Sequence, residues 1–463
     1  MEYGIITAIL VIVIYILLVA LLWKNGILDK LHITAVGPML MFKTRRGVAA
    51  LDRLARHDRF WLWYGNLSLC LVLFFMVLLT LVLLWEVPFA LSVPASSAPG
   101  PEMIIGLPGL NPLIPLGYGI VALIIAIFIH EFAHGVLTRV AGVKVKSMGM
   151  LLFVVPIGAF VEPDEKELLA LTRKKRARMY ATGPASNLIL AMVCAGIFSL
   201  GFMGSVQPVE DGVVVTSVVK EYPAGTIGLK PWSLITEIVI PNGTGVDPKI
   251  SNREEFTAMM DRTSAGDNIT ITYLFKGAHT TRSVILADKY VYYQKYYNDT
   301  NREEYRGKGF LGVGTMSADV LSTTLAHPMN YDSFPAFVGG VAYYIGLPFF
   351  QLLPLESPVT DLYTINGPMA ALPAPAFWML ANTFYWLFWL NLMVGATNSL
   401  PIPKLDGGMV FKDGMESILR RLRPAWTMDL VEKRATTIYR LTGLFVVFLI
   451  AWQFIGPRVG ALI

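Results

Sequence analysis

The stretch YGIVALIIAIFIHEFAHGVLT, residues 118–138, is apolar for twelve positions and then places His130, Glu131 and His134 within five residues of one another. As a helix it reaches about 30 Å, the thickness of a bilayer's hydrocarbon core, and so reads as a membrane span. Residues four apart lie on one helix face, so His130 and His134 can bind one Zn²⁺ while Glu131 points to the neighbouring position where a metal-polarised water would sit. The competing explanation is a pair of packed histidines hydrogen-bonded across helices, which would suffice for one lone His. Three ionisable side chains in five positions are each costly in lipid unless paired, metal-bound or facing water, and together they favour the metal.

The rest of the chain extends this membrane reading. Of its 463 residues 54% are hydrophobic and 15% charged, against roughly 25% charged in soluble proteins, which excludes an ordinary soluble fold. Gly4 to Trp23, Trp61 to Trp85, Tyr180 to Gly204 and Ala376 to Leu400 are also long and apolar enough to cross, and Ile438 to Pro457 makes a sixth, less clean span. The first lacks a basic start and is followed by Lys24 instead of a small-residue cleavage site, so it reads as retained. Lys and Arg exceed Asp and Glu by only 38 to 33, too small a surplus for a nucleic-acid partner. Cys70 and Cys194 both lie in apolar runs, which excludes a disulfide framework or a cysteine-built metal site.

Basic residues set the expected orientation, because cytoplasmic loops collect Lys and Arg. Lys24 to Arg59 holds eight of them and Arg173 to Arg178 adds a cluster, whereas Glu86 to Gly117 has none. The N-terminus is then outside, and the segment from Ser205 to about Asp332 is also outside. The apolar segment Pro335 to Leu353, broken by Gly339, Gly340, Gly346 and Pro348, must then lie on or dip into the outer leaflet without crossing. Short β-type runs at Val213 to Val219, Ile235 to Ile240 and Ile269 to Phe275 indicate a small extracytoplasmic β-rich domain. The Asn-x-Thr sequons at Asn242, Asn268 and Asn298 fall in it. The expected fold is thus a multi-pass α-helical membrane protein of about six transmembrane helices with an inserted β-rich domain. Its parts are residues 1–117, two spans around a basic loop; 118–204, the metal-motif helix, a re-entrant hairpin and the next span; 205–332, the β domain; and 333–463, a peripheral helix and two further spans.

A hydrolytic zinc site needs a third protein ligand and an open fourth position. Asp406 is the candidate. It follows Pro401 and Pro403, which end the fifth span near the inner surface, and His134 lies about 6 Å from the inner end of its own span. Taken alone, Asp406 before Gly407 reads better as a turn residue than as a ligand.

H-E-x-x-H in one span and Asn398-Ser-Leu-Pro-Ile-Pro-Lys-Leu-Asp406-Gly in a later one resemble the site-2 protease family of intramembrane zinc metalloproteases. Gly183-Pro184-Ala-Ser-Asn187, the hairpin-like Met148 to Pro163 and Asn366-Gly367-Pro368 fit the same family. The resemblance implies one Zn²⁺ per chain held by His130, His134 and Asp406, Glu131 as general base, and Asn187 and Asn398 as residues that position substrate or oxyanion. It also implies transmembrane protein substrates drawn from the lipid bilayer and an active site towards the cytoplasm of a multi-pass cell-membrane protein. Val213 to Val219 followed by Tyr-Pro223-Ala224-Gly-Thr-Ile-Gly228-Leu229-Lys-Pro is similar to PDZ domains, implying peptide contact there, although Trp232-Ser233 and the Tyr-rich stretch Tyr290 to Arg306 depart from that pattern. The segment Gly149 to Phe160 could offer a strand edge to an unwound substrate.

Three other classes make different demands. A membrane zinc transporter needs further ligands along a path, yet His32, His57, His279 and His327 lie outside the spans. An inactive scaffold needs no Glu131, and a prenyl-protein endopeptidase takes a Glu as third ligand. The orientation is tested by single cysteines. Cysteine at Ser251 or Ser357 is expected to label with an impermeant maleimide from outside, and at Ser417 only from inside. Cytoplasmic labelling at 357 would overturn the six-span arrangement.

Overall fold

The computed structural model describes residues 2–31, 33–44, 47–104, 106–240, 247–299, 301–330 and 332–462; His32 and Asn242 lie outside them. In chain order the elements that matter are α1 (Glu2–Lys24), β1 (Ile33–Val36), β2 (Met39–Thr44), α2 (Asp58–Ala90) and α3 (Leu116–Val140). There follow β3 (Val145–Phe153), β4 (Val155–Pro163) and α4 (Arg173–Gly196). Next come β5 (Val213–Val218), β6 (Leu234–Val239), β7 (Asn268–Phe275), β8 (Ala278–Ile285) and β9 (Val313–Ser317). The chain closes with α5 (Ala374–Ser399), α6 (Asp406–Leu422) and α7 (Met428–Gly460). Two compact units emerge: Met1–Ala195 with Thr383–Ile463, and Gly196–Asn382.

Among the described residues five helices are long and apolar enough to cross a membrane: α2, α3, α4 extended to Ser205, α5 and α7. They coincide with five of the six expected spans. In α1 the described apolar part is the shorter helix Ile12–Lys24. Pro335 to Leu353 falls in a helix over Phe334–Gly346 and a tighter turn to Phe350. Together these make a shorter apolar helix over Phe334–Phe350, below the roughly 20 residues a crossing takes.

Within the first unit the helices divide by burial. Tyr385 and Trp386 on α5 are 0% exposed, so α5 is central, whereas α2 turns Phe74, Val77 and Leu81 outward. Against α2 runs α7, whose Trp452 indole donates to the Val87 carbonyl at 3.0 Å. Small residues set the closest approaches. A Cβ on Gly443 of α7 would stand 2.1 Å from Pro403 Cδ, and one on Gly408 would stand 2.1 Å from the Ile402 carbonyl oxygen. The turn that ends α5 is therefore locked under α7, where the backbone N–H of Lys404, in the left-handed region at φ 75°, donates to Tyr439 Oη at 2.9 Å.

The basic loop after α1 differs from expectation. It contains the hairpin β1–β2, and β2 pairs with β3, giving a four-stranded antiparallel sheet of order β1-β2-β3-β4. Tyr15 Oη of α1 donates to the Leu152 carbonyl at 2.9 Å and ties the first helix to this sheet. β4 lies along α3, where Gly135 leaves room for Val161 and for Leu51 from the helix Val48–Ala55. Val136, Leu137, Val145, Leu51 and Met179 close a core beneath it.

The second unit contains the β-rich region. Its five-stranded antiparallel sheet runs β9-β5-β6-β7-β8, and β5, β6 and β7 match the three expected runs to within a residue at each end. Val213, Val215, Ile235, Ile269 and Ile271 supply its core. The Tyr-rich stretch folds as a helix over Lys289–Tyr297, held by aromatic and cation–π contacts: Tyr292 sits 4.5 Å from Phe310, and the Arg306 guanidinium 4.0 Å over Tyr290.

Two glycines test the packing of the first unit. Gly443→Val forces a branched side chain against Pro403 and is expected to cost about 1–3 kcal/mol, seen as a lower thermal midpoint in detergent. Gly414→Ala, with nothing within 4 Å of its new Cβ, is expected to hold or raise that midpoint.

Candidate metal centre

Helix α3 presents His130 and His134 on one face, as their spacing dictates. Their rings stand 4.8 Å apart, centroid to centroid. Asp406 comes from the opposite end of the sequence. Pro401 and Pro403 stop α5, and α6 starts at Asp406 itself, which puts the carboxylate at a helix N-terminus whose dipole favours negative charge. Gly407 makes the tight reversal feasible, since a Cβ there would lie 2.2 Å from the Ser399 carbonyl oxygen.

Three ligand-type atoms converge. Asp406 Oδ2 is 3.0 Å from His130 Nε2 and 3.2 Å from His134 Nε2, and the two Nε2 atoms are 3.2 Å apart. A tetrahedral site with bonds of about 2.0 Å has edges of roughly 3.3 Å, so the triangle fits Zn²⁺ with a fourth corner free. This is the one group of three or more His, Cys, Asp or Glu with metal-binding spacing among the described residues.

The outer nitrogens settle the tautomers. His130 Nδ1 lies 2.8 Å from Asn187 Oδ1, and His134 Nδ1 lies 2.8 Å from the Met179 carbonyl oxygen. Both partners accept, so each Nδ1 carries a proton, which in the neutral ring leaves Nε2 free to turn a lone pair inward, as a cation requires. Gly183 completes the fit: a Cβ there would stand 2.3 Å from His134 Nε2 and 2.8 Å from His130 Nε2, so α4 can border the centre only as bare backbone.

Asn187 is 0% exposed and fully engaged. Its Nδ2 donates to the Ala126 carbonyl and to Asn391 Oδ1, both at 2.9 Å, while Asn391 Nδ2 donates to Leu387 O at 2.8 Å. These contacts put Asn187 behind His130. Asn398, half-buried, donates to the Val394 carbonyl of its own helix at 3.0 Å. Glu131 is not one of the three clustered residues. It lines an apolar cleft of about 260 Å³ between α3, β2 and the β3–β4 hairpin, with Phe128, Phe132, Phe160 and Lys43.

The hairpin divides the segment expected to present an edge. Residues 149–153 belong to β3, which is paired on both sides, so the free edge is on β4 alone. Asn391, Gly183 and the Met179 carbonyl were not foreseen as parts of the site. Asn391 sits seven residues before Asn398 on the same helix face, a signal available in the sequence; a backbone carbonyl leaves none.

A profile of peptidase family M50 matches residues 118–442, which takes in every residue of this centre, and the chain belongs to that family. An uncharacterized protein of Methanocaldococcus jannaschii is 30% identical over 181 residues, 38% of this chain and 48% of the relative, so this match spans about half of the relative's length. A protein of Clostridium perfringens named "Putative zinc metalloprotease" is 26% identical over 328 residues, 68% of this chain and 87% of the relative. One of the same name in Clostridium acetobutylicum is 25% identical over 307 residues, 64% and 80% of the two chains.

Asn187→Leu removes the acceptor behind His130 while keeping the volume. Metal affinity is expected to fall roughly 10- to 100-fold, measured by competition with a chromophoric chelator. Unchanged affinity would make the Asn187–His130 bond irrelevant to the metal.

Proposed function

We propose that this chain is an intramembrane zinc endopeptidase that cuts transmembrane segments of other membrane proteins. The observation that carries it is the inward-facing triangle of His130, His134 and Asp406, with Glu131 next in sequence to His130 and lining a cleft between that helix and a hairpin whose outer strand is unpaired. Zinc, when bound, supplies a Lewis acid that polarises the scissile carbonyl and acidifies water. His130, His134 and Asp406 would hold it, and Asn187 and the Met179 carbonyl keep the two imidazoles in the ligating tautomer. Glu131 takes a proton from the attacking water and returns it to the leaving amine.

The substrate's peptide bonds are hidden in intrahelical hydrogen bonds and must be unwound first. β4 offers its free edge to the unwound chain, with the apolar cleft taking side chains of one face. Asn398 is assigned to substrate contact. The site is assigned to the cytoplasmic side, in keeping with the basic loops, and the β-rich region is assigned as an extracytoplasmic PDZ-like domain. Supporting that likeness, β9 is an edge strand and the helix Arg253–Asp261 is tied to its end by the Arg253 backbone N–H on Ser317 Oγ, at 2.9 Å.

Three variants test the assignment on a single-span reporter and by metal analysis. Glu131→Gln is expected to keep about one zinc per chain and lose cleavage by at least about 10²-fold. His134→Ala and Asp406→Asn are expected to lose both. Retained proteolysis in Glu131→Gln would sink the mechanism, and full zinc occupancy in Asp406→Asn would require another third ligand. A transporter would instead move zinc across proteoliposomes without cutting the reporter.

A further inference from the structure

Arg173, Arg176, Tyr180, Gly183 and Asn187 recur at intervals of three and four, and so share one face of α4. Asp406, Asp413 and Glu416 likewise share one face of α6. Both faces border the metal centre, Gly183 against the two Nε2 atoms and Asp406 as the third corner. They meet two turns away through ions. Arg176 donates to both carboxylate oxygens of Asp413, with Nε 3.2 Å from Oδ2, and Arg173 Nε donates to Glu416 Oε2 at 2.8 Å. The acidic side chains are only 7% and 8% exposed. Lys412 Nζ lies 3.9 Å from Glu416 and 3.8 Å from Glu432, extending the chain of charges to α7.

Buried ion pairs of this kind add little stability over an apolar contact of the same size, but they are directional. A guanidinium with two bonds to one carboxylate fixes both the distance and the rotation of the helix that carries it. The close backbone approaches at Gly407 and Gly408 hold the first turn of α6, and the ion pairs two turns on add the constraint on its rotation that glycines, having no side chains, do not supply. A slip of one residue in α6 moves Asp406 by about 1.5 Å, whereas metal–ligand distances tolerate about 0.2 Å.

We propose that the Arg176–Asp413 and Arg173–Glu416 pairs are a positioning clamp: they hold α6, and with it the Asp406 carboxylate, in register with the α4 face that backs His130 and His134. The proposal rests on those three residues being the zinc site.

The test uses the full chain purified in detergent, with the zinc dissociation constant from chelator competition and the thermal midpoint as separate readouts. Arg176→Met and Asp413→Asn are each expected to weaken zinc binding roughly 10-fold or more. Asp413→Glu keeps the charge and moves the carboxylate by one methylene; it is expected to weaken zinc binding several-fold with an unchanged midpoint, and it decides the matter if the first two do not fold. Wild-type zinc affinity in Asp413→Glu overturns the clamp, whatever the midpoint does. Asp406→Ala, run alongside, separates the two levels. If it loses zinc while Asp413→Glu binds normally, the clamp alone falls; if it keeps zinc, or the wild type takes up none, the metal centre falls and the clamp with it.

Discussion

Two imidazole nitrogens with inward lone pairs and one carboxylate, within 3.2 Å of one another, repel unless a cation or a shared proton sits among them. Everything around the centre serves to keep that unfavourable triangle assembled. α3 supplies two corners by its own periodicity. The third corner has to be carried in by a helix that starts on the ligand itself, which is why two prolines, two glycines and a left-handed lysine crowd into residues 401–408. Asn187 and the Met179 carbonyl then hold the outer nitrogens, so the rings cannot turn to relieve the repulsion.

The centre also divides labour between chemistry and access. The ligand atoms are buried against α4 and α6, whereas Glu131, one residue on from His130, turns through about 100° on the helix and lines the cleft beside β2 and the hairpin. On the proposed reading, the proton-transfer residue lies where an extended chain could arrive. The sheet that frames this cleft draws on strands from both sides of α2 and α3, so the N-terminal hairpin is part of the wall of the site and not an appendage.

Much of this was legible in the sequence, and what was not has physical causes. Long apolar runs declare themselves because lipid admits few exceptions, and five of them became the helices expected. H-E-x-x-H declares itself because one helix face suffices to read it. β1 and β2 did not, since a strand as short as Met39–Thr44, flanked by basic residues, shows no convincing alternation, and β3, its partner, lies about a hundred residues on. Arg173 and Arg176 read as solvated charges near a membrane surface because their partners are 243 and 237 residues away. Asn187 could be marked as important from its Gly-Pro neighbours, but only the fold reveals that it faces His130.

Gly183 carries a different lesson. It offers no side chain and lies outside both H-E-x-x-H and L-D-G, yet a Cβ there would stand 2.3 Å from His134 Nε2 and 2.8 Å from His130 Nε2. On the proposed reading, a side chain at this position would disrupt the metal centre while leaving H-E-x-x-H and L-D-G intact. Dead relatives built on this scaffold are therefore to be sought by the residue that follows Thr182, where the vacancy on the backbone is as much a part of the active site as the ligands.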